Sequence, residues 1–204
     1  MTDDRKTHWE NVYQTKGDDQ VSWTEGDPTL SLYLLKAAGL TPAHTVIDVG
    51  GGASRLVDRL VQQQQAHITV LDLSAAALAR AQARLDGTAN TDWIVADITA
   101  WQPPRQYDFW HDRAVFHFMT DATDRAAYLA ALAAALPIGG IAVFGTFALD
   151  GPEKCSGLPV MRYDAAGLSA VLGDDFALLA GRRHDHTTPW GATQHFQFST
   201  FRRL

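Results

Sequence analysis

The stretch Val46-Ile47-Asp48-Val49-Gly50-Gly51-Gly52-Ala53-Ser54 constrains the fold of this chain more than any other. Its short β-branched apolar run reads as a buried parallel strand. Three glycines then turn it sharply into Arg55-Leu56-Val57-Asp58-Arg59-Leu60-Val61, whose apolar residues recur at helical spacing. Lacking Cβ atoms, glycines let a backbone turn tightly while leaving its face bare. A flat or charged ligand can then lie against the main-chain N–H groups and the helix N-terminus.

Spacing narrows the choice of ligand. The fingerprint G-x-G-x-x-G needs glycine at position 55, which is Arg55, and the pattern G-x-x-x-x-G-K-[ST] is absent. The stretch resembles instead the first motif of the class I S-adenosylmethionine-dependent methyltransferases, with the acid Asp48 two residues before G-x-G and Ser54 where that family commonly has a third glycine. The resemblance runs through nearly the whole chain. It implies S-adenosyl-L-methionine as cofactor, bordered by Asp48, Gly50, Gly51 and Gly52.

The same family pattern expects an acid closing the second strand, and His67-Ile68-Thr69-Val70-Leu71-Asp72-Leu73-Ser74 supplies Asp72 about twenty residues after the glycines. A carboxylate there can accept both ribose hydroxyls, with Leu73 and Ser74 beside it. A third acid, Asp97, closes Trp93-Ile94-Val95-Ala96-Asp97-Ile98, where the family receives the adenine amino group, with Ile98 alongside. Three acids at three strand ends are far more specific than one glycine cluster.

A chain of 204 residues with 46% hydrophobic content suits one α/β domain and is short for two. A net charge of −6 gives no basic footprint, so nucleic acid is not expected as a partner. The single cysteine, Cys155, can form no intrachain disulfide. No apolar run approaches the length of a membrane span, and Met1-Thr2-Asp3-Asp4-Arg5 has no hydrophobic signal region, so a cytoplasmic protein, monomeric or dimeric, is expected.

Ahead of the glycine turn, residues 8–16 form a short helical candidate with Trp9 and Tyr13 one turn apart, broken by Gly17-Asp18-Asp19. A loop carrying Trp23 follows, and Asp27-Pro28 reads as an N-cap and first turn for a helix over 29–38. The three aromatics admit two readings. They are core anchors for a terminal helix, or, as in the N-terminal cap of the thiopurine- and tellurite-type small methyltransferases that the segment resembles, they close over the methionine end of the cofactor. A sulfonium gains from aromatic faces. Residues 1–26 are accordingly expected to be a lid on a single domain spanning 1–204.

After the turn, the pattern predicts a helix to residue 65, a strand over 67–73, a helix over 75–85 ending at Asp86-Gly87, a third strand ending at Asp97 and a fourth over 107–112. A helix over 123–136, a strand over 141–148, an aperiodic loop over 149–163 and a helix over 164–172 precede two β-rich stretches, 176–186 and 193–203. In the family these last two pair as a hairpin. The fold implied is a doubly wound seven-stranded, mostly parallel sheet of order 3-2-1-4-5-7-6, its last strand antiparallel, with helices on both faces.

Methyl transfer from a sulfonium is an in-line displacement with an activated leaving group, so alignment matters more than acid–base chemistry. Two residues are candidates for catalysis. Asp112, whose fourth-strand position lies beside the reactive methyl in many relatives and is by the same resemblance expected to be cofactor-binding as well, has the alternative of pairing with Arg113. His117 can act as a base at neutral pH, or form part of an aromatic wall between Phe116 and Phe118. Aromatic residues expected around the mouth are Trp9, Tyr13, Trp23, Trp110, Phe116, Phe118, Phe147 and Trp190. The histidines His184, His186 and His195 share strand faces but lack a convincing ligand set, and no metal is expected.

These features lead to methyl transfer from S-adenosylmethionine to a small molecule through sulfur, selenium or nitrogen. Protein-lysine methylation is the alternative suggested by Asp112-Arg113, although the chain departs from that family's pattern at Ala114-Val115-Phe116-His117. A catalytically silent cofactor-binding regulatory module is a third reading. A short-chain dehydrogenase is excluded, because neither Tyr128 nor Tyr163 has lysine four residues later.

Overall fold

The computed structural model describes residues 2–85 and 90–204; the expected helix stop Asp86-Gly87 lies outside the described residues. A seven-stranded sheet forms the centre, with β1 (Thr45–Val49), β2 (His67–Asp72), β3 (Thr91–Val95), β4 (Phe109–Arg113), β5 (Ile141–Phe147), β6 (Phe176–Thr187) and β7 (Thr193–Arg203). Their spatial order is β3-β2-β1-β4-β5-β7-β6. The first five are parallel, and β7 runs antiparallel between β5 and β6. This is the order the family pattern implied. Helices α1 (Thr2–Thr15), α2 (Thr29–Ala37), α3 (Leu56–Gln62), α4 (Ala75–Arg84), α5 (Ala122–Ala135) and α6 (Ala165–Leu172) cover the sheet. Among the described residues no helix is long and apolar enough to cross a membrane.

Strand periodicity divides the core in two. Ile47, Val49, Trp110 and Phe144 point toward Tyr128 and Leu132 of α5 and Leu168 of α6. Their neighbours Val46, Phe109 and Val143 point toward Leu34 and Leu35 of α2 and Leu56 and Leu60 of α3. Alternation of side chains across a strand fixes this partition, and it decides where each residue at a strand end must look.

Several local expectations shift. Helix α1 begins earlier than position 8 and runs to Thr15. Pro28, rather than Asp27, is the N-cap of α2 and offers no side-chain acceptor. The Asp27 carboxylate is held by Arg59 of α3, Nη2 donating at 2.8 Å. Strand β3 stops at Val95, so Asp97 stands in the loop beyond it. The loop over 149–163 contains a small antiparallel hairpin, Lys154–Cys155 with Leu158–Pro159. Helices α4, α5 and α6, in contrast, start at side-chain acceptors. Ser74, Asp121 and Asp164 accept from Ala77, Thr123 and Gly167 N–H groups respectively.

Candidate active site

The carboxyl ends of β1, β2 and β4 open onto one cavity of about 750 Å³, its mouth included. Topological switch points in open α/β sheets create this crevice between strands whose connections diverge. Val49 and Gly50, Leu71 to Leu73, and Ala96 to Ile98 line one side, and Arg113, Ala114 and Val115 another. Trp9 and Tyr13 from α1, with Trp23, Phe118, Met119, Cys155 and Arg5, complete the lining.

The glycines have specific work. A Cβ on Gly50, whose φ is +67°, would fall 1.9 Å from the Val115 side chain, so Val115 can rest on the turn only because Gly50 is bare. Gly52, φ +42°, faces the Asp72 carboxylate in the same way, 2.7 Å from where its Cβ would stand. Ala114 takes a left-handed φ of +71°, which bends the chain as it leaves β4 and carries Val115 over Gly50.

Asp72 is buried, and its Oδ1 accepts from the Ser74 N–H at 2.8 Å. Burial pushes its carboxyl up to about 7, with the Asp48 and Glu10 carboxylates adding to the rise and the Ser74 and Leu73 N–H groups opposing it. Asp97 gives Oδ1 to Thr99, N–H and hydroxyl at 2.9 and 2.8 Å, while its buried Oδ2 has no partner among the described residues. One oxygen of this carboxylate is therefore spare at the cavity wall.

The aromatic group is braced. Trp23 Nε1 donates to the Tyr13 hydroxyl at 3.0 Å, and Trp9 meets Trp23 and Phe118 edge to face at 5.4 and 5.2 Å. Helix α1 is fastened at several points: Ser74 Oγ donates to Glu10 at 2.8 Å, Arg5 pairs with Asp124 at 3.1 Å, and Arg80 donates to the Tyr13 and Lys16 carbonyls.

A second, polar cleft meets the first at Tyr13, Trp23, Gly50 and Arg113. Asp48 and Gly51 lie there, whereas Gly52 and Ser74 line neither space. Within it Asp48 Oδ1 is 2.7 Å from His111 Nδ1, and His111 Nε2 is 2.9 Å from Ser31 Oγ. Asp48 and His111 are register partners on β1 and β4, so they share a face toward α2.

The two catalytic candidates are corrected. Asp112 is fully buried on the α5 side and lines neither space. Tyr128 donates to its Oδ2 at 2.5 Å, and the Val115 and Phe116 N–H groups donate at 2.9 and 3.0 Å. Burial raises its carboxyl to about 6. Nor does it pair with Arg113, which lies 3.0 Å from Glu25. His117 is likewise fully buried outside both spaces, and burial together with Arg113 lowers it to about 3, so it is neutral at physiological pH. Trp110, Phe116 and Phe147 belong to the core, and Trp190 is exposed, so they leave the mouth.

Arg113, Cys155 and Arg5 line the cavity without having been singled out for it. Strand parity was the available signal: if Asp112 faces α5, then His111 and Arg113 face the other way. The three candidate metal-binding histidines have separate partners. His184 packs on Phe198, His186 Nε2 lies 2.6 Å from the Ser22 carbonyl, and His195 Nδ1 lies 2.7 Å from Asp185. Burial pushes the Cys155 thiol up to about 12, which makes it a poor nucleophile.

A sequence family described as a methyltransferase domain matches residues 46–140, which carry all three acids and the glycine turn. The resemblance to class I methyltransferases is borne out by this match. Malonyl-[acyl-carrier protein] O-methyltransferase 1 of Ilyobacter polytropus is 26% identical over 110 residues, 53% of this chain and 40% of that protein. Nodulation protein S of Rhizobium tropici is 25% identical over 113 residues, 55% of this chain and 47% of its own. The match thus spans less than half the length of either relative. Among solved structures, the N-methyltransferase NodS from Bradyrhizobium japonicum WM9, in complex with S-adenosyl-L-homocysteine, superposes with a TM-score of 0.73 at 18% identity, over 95% of this chain and 98% of that one. It shares the fold.

Proposed function

We propose that this chain, whose residues 46–140 match the methyltransferase-domain family, transfers a methyl group from S-adenosylmethionine to a small-molecule acceptor. The observation that carries the reading is the row of groups along one cavity. Asp97 offers a spare oxygen for an adenine amine, Asp72 a carboxylate for a ribose diol, and Gly50 a bare turn beside Trp9, Tyr13 and Trp23. The chemistry of that order fits a nucleoside carrying a sulfonium. When bound, S-adenosylmethionine supplies an electrophilic methyl group. The chain's residues hold it, keep water out and align the acceptor, with sulfur, selenium or nitrogen as the nucleophile.

In this reading the segment through residue 26 is the lid, and Trp9, Tyr13 and Trp23 are its inner face. Asp48, Gly50 and Gly51 border the amino-acid end, while Gly52 and Ser74 act indirectly, the first by leaving room for Asp72 and the second by ordering its carboxylate. Calorimetry with S-adenosylhomocysteine tests the binding half. A mass-spectrometric assay comparing small thiols and amines with a protein lysate tests the acceptor half, and methyl incorporation into lysate protein alone would replace the small molecule with a protein lysine. Binding without turnover of any acceptor would favour a silent module.

A further inference from the structure

The cofactor reading leaves one side of the cavity for the acceptor. Toward α1 and the Trp23 loop the lining includes Trp9, Tyr13, Trp23, Phe118, Arg113 and Cys155. Among the described residues on this side, none is free to take a proton and no cation is free to hold an anion. Burial pushes the Tyr13 hydroxyl and the Cys155 thiol up, the thiol to about 12, so both keep their protons. Arg113 is charge-paired by Glu25 at 3.0 Å and Arg5 by Asp124 at 3.1 Å. Asp112 and His117 line neither space, and in the adjoining cleft both His111 nitrogens are engaged, by Asp48 and Ser31.

Ring surface is what this side offers. Trp9, Tyr13, Trp23 and Phe118 line the cavity, and each keeps part of its surface accessible. Trp9 meets Trp23 at 76° and Phe118 at 74°, and Tyr13 meets Trp23 at 66°. Rings set at steep angles turn faces in several directions about one space, which suits a cation and a polarizable sulfur. A thiol would have to enter as an anion without a free cation of the chain to meet it, and an alkylamine would have to shed a proton with no base to receive it. A thioether meets neither difficulty.

We propose that the acceptor's nucleophile is a thioether sulfur, and that the sulfonium it becomes is held by the faces of Trp9, Tyr13, Trp23 and Phe118. The inference rests on the cofactor reading and narrows its acceptor. A lone pair on the thioether sulfur forms the new bond to the methyl carbon, and the bond from that carbon to the departing sulfonium breaks with its electron pair passing to the departing sulfur. One positive charge passes from one sulfur to the other, and no proton is released. Rings that favour the cation before transfer favour it during and after transfer, so the same walls serve each stage without an acid or a base.

The test uses the full chain with benzyl methyl sulfide, phenylmethanethiol and benzylamine as matched acceptors, and methylation with S-adenosylmethionine is read by mass spectrometry. The expected result is the highest kcat/KM for the sulfide, with benzyldimethylsulfonium as product. Calorimetry on the protein–S-adenosylhomocysteine complex then compares benzyldimethylsulfonium with the uncharged benzyl methyl sulfide. Trp9→Leu should lower the ratio of sulfonium to sulfide affinity by roughly five- to thirtyfold, the equivalent of one desolvated cation–ring contact, and Trp9→Phe should recover part of it. Trp23→Leu gives the same reading from the neighbouring ring. A ring that only braced the lid would weaken both ligands alike. Preference for the thiol or the amine, no methylation of the sulfide by a protein that binds S-adenosylhomocysteine, or an unchanged affinity ratio in the folded variants would overturn the proposal. Absence of S-adenosylhomocysteine binding by the unaltered protein would overturn the cofactor reading and this inference with it.

Discussion

Tyr128 donates its hydroxyl proton to Asp112 Oδ2 at 2.5 Å, and the same hydroxyl receives the Trp110 indole N–H at 3.0 Å. The acid at the end of β4 is thus tied into the α5 side of the core and serves to hold the 115–116 turn, whose N–H groups it accepts. Tyr128→Phe should destabilise the fold by about 1.5–3 kcal/mol, the range for a hydrogen bond to a charged group, while leaving S-adenosylhomocysteine affinity nearly unchanged. Urea unfolding and calorimetry on the same variant check both halves.

Asp72 is the residue whose removal should be felt in binding. If its carboxylate receives the ribose diol, Asp72→Ala weakens S-adenosylhomocysteine by roughly 1.5–3 kcal/mol. Unchanged affinity in a folded variant would remove Asp72 from the site.

A proton linkage follows from the same residue. The folded carboxyl sits at about 7 because of burial, above the ordinary aspartate value of 3.8. The folded protein therefore binds more protons than the unfolded chain between those values, and Asp72 makes stability fall as pH rises through that window. Asp112, raised to about 6, acts in the same direction over its own narrower window. Hydroxyl donors favour the ionised form of Asp72, so cofactor binding should release up to one proton near pH 7 and weaken as pH falls below it. Calorimetry in buffers of different ionisation enthalpy measures the release, and its absence in Asp72→Asn assigns it.

Asp97 offers one spare oxygen, Oδ2, since Oδ1 is taken by Thr99. Asp97→Asn keeps an acceptor and should cost less cofactor affinity than Asp97→Ala. Equal losses in the two variants, or none, would mean that Asp97 only caps its loop.

The lid is open to a direct measurement. Helix α1 is held by polar contacts to α4 and α5 and by Trp9 against Trp23 and Phe118, with Val12 its buried apolar residue among those described. Such a segment opens without disrupting the sheet. Hydrogen exchange over residues 8–24 should slow on adding S-adenosylhomocysteine, and Arg80→Ala should speed it by freeing the Tyr13 and Lys16 carbonyls. Equal, strong protection with and without ligand would make Trp9, Tyr13 and Trp23 permanent core anchors.

Much of this architecture is legible in the residues because it is written in local patterns. A β-branched run followed by Gly50-Gly51-Gly52 admits little besides a strand, a turn and a helix, and period-2 and helical spacings placed nearly every other element within a few residues. The family resemblance picked out Asp72 and Asp97, and both line the cavity, Asp72 from the end of β2 and Asp97 from the loop beyond β3. Boundaries were less legible where a cap was shared with a distant partner, as at Asp27, whose carboxylate is held by Arg59 of α3 as well as by the Thr29 side chain of its own helix.

Facing, burial and partnership at the end of β4 belonged to the tertiary structure. Asp112 and Arg113 are adjacent in sequence, and both are polar enough to belong to a site. Alternation across the strand sends one under Tyr128 and the other to the junction of the two clefts, and which goes where depends on α5 and the Trp23 loop packing on opposite faces. The sequence by itself determined a strand, a glycine turn and a helix, because those follow from backbone conformation and local spacing, while the order of strands and the places of the three acids were what the family resemblance implied. Only the folded chain decided that the charge left facing the cavity at β4 is the guanidinium of Arg113, because burial and hydrogen-bond partners are set by residues far away along the chain.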